Sequence, residues 1–164
     1  MDKENILMRI QDCGIVAVVR AENADKAERI VDACMEGGVA AIELTFSVPH
    51  ADRVIETLSY KYDPKDIILG AGTVMDAATA RIAMLSGAQY IVSPYLDLET
   101  LRMCNRYRVP MMPGVMSVRE AVTAMENGAD ILKVFPGDLF GPKIIKDILG
   151  PIPYAKMMPT GGVD

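Results

Sequence analysis

Gly128-Ala129-Asp130-Ile131-Leu132-Lys133-Val134-Phe135-Pro136-Gly137 is the stretch whose reading decides the fold. It opens on a glycine, the residue that most readily takes the left-handed conformation ending a helix, and passes almost at once into an apolar run. The same order recurs in Gly38-Val39-Ala40-Ala41-Ile42-Glu43 and in Gly87-Ala88-Gln89-Tyr90-Ile91-Val92. In each, the fifth residue past the glycine falls at the carboxyl end of a short strand. Glu43 and Lys133 therefore hold equivalent places in their units.

Outward from this repeat, short apolar runs at residues 15–19, 40–44, 67–69, 89–92, 109–112, 130–134 and 154–158 read as strands. Between them lie amphipathic stretches of helical length at 23–36, 51–58, 76–85, 98–107 and 117–126, and a short helix is expected after Pro142, a favourable first helical residue. Strands alternating with helices through such short connections give a parallel sheet with right-handed crossovers. The number of units predicts an α/β fold of the TIM (β/α)8-barrel type, whose active site lies at the carboxyl ends of the strands. An open doubly wound sheet is the competing architecture. It would usually place a glycine-rich phosphate turn after the first strand, where Val18-Val19-Arg20-Ala21 stands instead. No stretch reads as a linker, so residues 1–164 are expected to form a single domain.

Alternate residues of a barrel strand point inward. If Lys133 points in, so do Ile131 and Ala129, with Ala41, Glu43 and Thr45 in the second unit and Val16, Val18 and Arg20 in the first. A lysine, a glutamate and an arginine then gather at one rim. An ammonium at the end of a buried strand is costly without a partner or a task, and burial favours the neutral amine that can attack a ketone. A strand-end lysine can also snorkel to water; the segment alone leaves both readings open.

Composition sets the boundaries. With 164 residues, 51% hydrophobic and 24% charged, the chain is neither disordered nor fibrous. The net charge of -5 argues against nucleic acid as the main partner. No apolar run is long enough for a membrane span, and no secretory signal opens the sequence. Cys13, Cys34 and Cys104 are odd in number and fit neither a disulfide framework nor a zinc site, so a cytoplasmic location is expected. The single histidine, His50, excludes a histidine-based metal centre.

The chain resembles the 2-keto-3-deoxy-6-phosphogluconate (KDPG/KHG) aldolase family. The resemblance rests on ordered landmarks: Val18-Val19-Arg20, Gly37-Gly38-Val39 leading into Ile42-Glu43-Leu44-Thr45, Gly70-Ala71-Gly72-Thr73-Val74, Ile91-Val92-Ser93-Pro94, Met112-Pro113-Gly114-Val115, Leu132-Lys133-Val134-Phe135-Pro136-Gly137 and Pro159-Thr160-Gly161-Gly162-Val163. Each is weak alone; together, in order, they are specific.

The resemblance implies a homotrimeric class I aldolase that needs no cofactor and no metal. It cleaves a phosphorylated 2-keto acid to pyruvate and glyceraldehyde 3-phosphate, and 4-hydroxy-2-oxoglutarate is a further candidate substrate. Lys133 matches the imine-forming lysine and Glu43 the proton-shuttling glutamate. Gly72 and Thr73 match the segment that binds the substrate carboxylate, and Pro94 helps shape that pocket. Phe135 is placed as a wall, Arg20 as a supporting charge, and Thr160, Gly161 and Gly162 at the phosphate.

Two departures stand out. Ser47 occupies the position where many members carry an arginine. The sequence also stops at Asp164, just past the seventh strand, so the barrel is expected to lack its eighth strand and helix and to handle free pyruvate better than phosphorylated substrate. The competing functions are a phosphosugar barrel enzyme such as an epimerase, and a trimeric scaffold that only retains the motifs.

Overall fold

The computed structural model describes residues 2–139 and 141–163; Met1, Phe140 and Asp164, and with them both ends of the expected domain, lie outside the described residues. The element order is α1 (Lys3–Cys13), β1 (Val16–Val19), α2 (Ala24–Glu36), β2 (Ala41–Thr45), α3 (Ala51–Lys61), β3 (Ile68–Gly72), α4 (Ala77–Leu85), β4 (Tyr90–Val92), α5 (Leu98–Arg106), β5 (Met111–Met112), β6 (Gly114–Val115), α6 (Val118–Glu126), β7 (Leu132–Val134), α7 (Lys143–Leu149) and β8 (Met157–Pro159). All strand pairs are parallel, in the orders β1-β2-β3-β4-β5 and β6-β7-β8. Pro113 stands between β5 and β6. A proline has no N–H to give to a ladder, so one strand position is split into two short pairings.

Local chemistry explains the alternation. Asn23, Asp76, Asp97 and Ser117 each cap a helix, their side chains accepting from the backbone N–H three residues on. Gly38, Gly87 and Gly128 take φ of +83°, +109° and +91°, the left-handed turn expected at the start of each repeat. The strands begin within a few residues of these glycines, as the repeat predicts.

The apolar side chains divide between two layers. Ile42, Leu44, Leu69, Ala71, Ile91 and Leu132 face the surrounding helices and pack on Val31, Ile55, Leu58 and Leu101. Ala41, Ile68, Tyr90, Val92, Met112 and Ile131 face inward. Val16, Ala41 and Ile131 thus have the parity expected of them, and Leu132 has the opposite one. Ala129 is a correction: it packs with the helix-side layer, not the interior. It precedes β7 by three residues, in the turn after Gly128, where strand alternation has not begun.

Helix α1 is an element that the strand-helix reading did not include. Asp2 caps it and Gly14 ends it at φ +72°. Ile6, Leu7 and Ile10 are buried against the inward layer. Lys3 Nζ lies 2.7 Å from Asp130 Oδ2, and Arg9 donates to the carbonyls of Pro64 and Lys65, all on loops that lead into strands. The helix therefore plugs the end of the barrel where strands begin and leaves the other end for the site. Among the described residues β1 and β8 do not pair. Between them runs a cleft of about 660 Å³, lined by Ile10, Val16, Val18, Ile131 and Met158, with Glu43 on its wall.

Candidate active site

β2 and β7 position the two ionisable groups. Glu43 sits mid-strand on β2, opposite Val18 of β1 and Gly70 of β3. Lys133 sits mid-strand on β7, opposite Gly114 and Met158. Both are buried, Glu43 at 1% and Lys133 at 5% exposure, values rare for charged residues without a task or a partner. The snorkelling alternative therefore fails for Lys133.

Burial shifts the two groups in opposite directions. It raises the Glu43 carboxyl above the ordinary carboxylate range, while the charges of Lys133 and then Arg20 pull it back. It lowers the Lys133 ammonium below the usual lysine range; Glu43 opposes this and Arg20 adds to it. Each group therefore feels the other as its principal charged neighbour. Arg20, just past β1 and exposed, contributes from the rim. Its expected approach to the pair is present as an electrostatic influence rather than a contact.

The carboxylate lies across β3, where glycine makes the room. A Cβ on Gly72 would overlap Glu43 Oε1 and Cδ. Beside it, Thr73 has φ +56°, an uncommon conformation for a β-branched residue and one that concentrates at functional sites. Its hydroxyl is 2.7 Å from Thr45 Oγ1, which is 2.9 Å from Ser47 Oγ. Three hydroxyls thus run in a chain from half-buried Thr73 through buried Thr45 to exposed Ser47. Thr45 and Ser47 were not among the candidate binding residues. The signal was available in the shared parity of Thr45 with Glu43 and in Ser47 lying two residues beyond it.

The remaining candidates line the same end. The Phe135 ring lies 5.0 Å from Lys133 Nζ, a cation–π distance, and is half-buried. Pro94 is half-buried, and its carbonyl occupies the space a Cβ on Gly114 would need, which brings the β4 loop close to β6 and β7. Thr160 and Gly161 are joined to the loop after β7: Thr160 N donates to Val134 O, Gly137 N to Thr160 O and Asp138 N to Gly161 O. Gly161 and Gly162 take φ of +89° and +64°, and a Cβ on Gly161 would press on the Phe135 ring. Lys133, Phe135 and the Thr160-Gly161-Gly162 turn are therefore one connected wall, with Glu43, Gly72 and Thr73 facing it from β2 and β3.

Fold and site together define a class of protein, a (β/α)8-type barrel with a buried lysine and a buried glutamate near the carboxyl ends of separate strands, where barrels carry their active sites. The family described as KDPG and KHG aldolase matches residues 6–164, and the chain belongs to it; it is a family of lyases. The chain is 32% identical to the 2-dehydro-3-deoxy-phosphogluconate aldolase of Haemophilus influenzae, over 98% of this chain and 75% of that one. It is 33% identical to the 2-dehydro-3-deoxy-6-phosphogalactonate aldolase of Escherichia coli, over 91% and 73%. Among solved structures, the KDPG aldolase of Legionella pneumophila, with pyruvate captured at low pH as a covalent carbinolamine intermediate, superposes with a TM-score of 0.84 at 30% identity, over 90% and 71%. The barrel expected from the sequence is thus the fold of these relatives.

Proposed function

We propose that this aldolase cleaves 2-keto-3-deoxy-6-phosphogluconate, or its close C4 relatives, to pyruvate and glyceraldehyde 3-phosphate through an imine on Lys133. The observation that carries the reading is the pairing of Lys133 and Glu43, both buried and each the main charged neighbour of the other. The carbinolamine of the Legionella relative supports an amine nucleophile.

The Lys133 amine adds to the C2 ketone, and Glu43 protonates the departing hydroxyl, so that loss of water leaves a nitrogen-protonated imine and the Glu43 carboxylate. Burial lowers the cost of having that amine neutral near pH 7. Glu43 takes the proton of the C4 hydroxyl. The C3–C4 bond then breaks, its electron pair passing to the imine as an enamine, and the aldehyde leaves. The raised Glu43 returns the proton to C3, and hydrolysis releases pyruvate and the free amine. Gly72 and Thr73, with the hydroxyls of Thr45 and Ser47 behind them, receive the substrate carboxylate, and Arg20 supplies the long-range positive charge. Pro94 and Phe135 shape the pocket, and the phosphate is received at Thr160, Gly161 and Gly162. Assembly as a homotrimer and a cytoplasmic location belong to the same reading.

The test is pyruvate release from the phosphorylated six-carbon keto acid, its C4 epimer and 4-hydroxy-2-oxoglutarate, compared for the wild-type chain and Lys133→Ala. Release from at least one substrate that the substitution abolishes is the expected result. Cleavage that survives Lys133→Ala at the wild-type rate would overturn the mechanism.

A further inference from the structure

Two buried polar side-chain atoms have no hydrogen-bond partner among the described residues: Glu43 Oε2 and the hydroxyl of Tyr90. They are neighbours in the fold. Glu43, Gly70 and Tyr90 stand in register across β2, β3 and β4. A Cβ on Gly70 would overlap the Tyr90 ring at Cζ, and a Cβ on Gly72 would overlap the Glu43 carboxylate. Both side chains therefore lie across β3 on its inner face, above glycines two positions apart, a spacing of roughly 7 Å. Gly70 and Gly72 together form a flat bed that admits both.

We infer that Tyr90 is a positioning residue for Glu43: its hydroxyl donates to one buried water, which in turn donates to Glu43 Oε2. The inference rests on Glu43 being the proton shuttle. An orphaned buried hydroxyl and an orphaned carboxylate oxygen each carry a desolvation cost, and one shared water removes both. The phenol keeps a proton that it can give to the water. Complete burial holds its proton on well above the ordinary tyrosine range, and Glu43 and then Cys13 push the same way. A donor aimed at the carboxylate favours its charged form and fixes which oxygen points at the substrate. The other charged or titratable groups around the pair are Lys133 on β7, Arg20 past β1, Cys13 at the end of α1 and Lys156 at the outer end of the cleft. Replacing the tyrosine hydroxyl leaves all of them in place.

The test is exchange of pyruvate methyl protons with deuterated solvent, measured against pH at saturating pyruvate for wild type and Tyr90→Phe. With Lys133 committed to the imine, the acid limb belongs to Glu43, which must be deprotonated to accept a proton. Losing the donor raises its pKa. The limb should move up by about half a unit to one unit, making exchange roughly three- to tenfold slower on the acid side, with the alkaline plateau within about twofold. Coincident limbs in two folded proteins would overturn this inference alone. Absence of exchange in the wild type would instead remove the catalytic reading on which it rests. A second measurement needs no substitution. A high-resolution crystal structure should show water within hydrogen-bond distance of both Tyr90 Oη and Glu43 Oε2, and a dry gap there would also overturn the inference.

Discussion

Lys133 and Glu43 set each other's titration, and this coupling makes the two substitutions distinguishable. The Glu43 charge holds the Lys133 pKa up against burial. Glu43→Gln removes that support, so the Lys133 pKa falls further and the neutral amine persists to lower pH. Imine formation with pyruvate should therefore extend to more acidic solutions in Glu43→Gln. Proton exchange should meanwhile drop by about 10²- to 10⁴-fold, the usual contribution of a general acid–base group. Trapping against pH and exchange by NMR check the two halves separately; a trapping profile moved toward alkaline pH would contradict the coupling. Gly72→Ala makes a second residue-scale prediction. The added methyl must displace the Glu43 carboxylate, because the strand beneath it is held on both sides by β2 and β4. Exchange should fall at least tenfold while the folded state loses about 1–3 kcal/mol, the cost of overpacking. Unchanged exchange would place the carboxylate elsewhere.

At the scale of elements, most of the molecule was legible because its signals are local. A glycine at each repeat start needs positive φ, and Asn23, Asp76 and Ser117 declare helix starts through their side-chain oxygens. The inner parity of Glu43 follows from period two once the strand is placed. Ala129 shows the limit: parity cannot be extended backward into a turn. The split at Pro113 and the hydroxyl chain at Thr73 depend on what neighbouring strands do, which no single segment reveals. α1 is different. Its Asp2 cap, apolar Ile6, Leu7 and Ile10, and Gly14 stop are all local. It precedes the first of the glycine-to-strand repeats, so the repeat that marks the other units does not point to it. Its place in the interior predicts that Ile10→Ala costs about 2–5 kcal/mol, as large-to-small changes in cores do. Urea denaturation measures this; a loss below about 0.5 kcal/mol, the scale of surface substitutions, would mean that α1 does not plug the barrel.

The described residues form a ring of parallel strands that is open at a seam between β1 and β8. β2 and β3 are paired on both sides, whereas β1 and β8 each face the cleft on one side. Edge strands open more readily than central ones. Native-state hydrogen exchange should therefore find the slowest amides in β2 and β3 and markedly faster ones in β1 and β8; equal protection in all four would argue that the seam is closed in solution. The seam matters for function because Glu43 lines it, while Lys133 is held across the barrel by β6 and β8. The central claim is that Lys133 is the nucleophile, and borohydride reduction in the presence of pyruvate tests it most directly. The account predicts one pyruvate-derived adduct per chain, mapped by peptide mass spectrometry to Lys133 and absent from Lys133→Ala. An adduct on Lys143, Lys146 or Lys156 with Lys133 unmodified would contradict it.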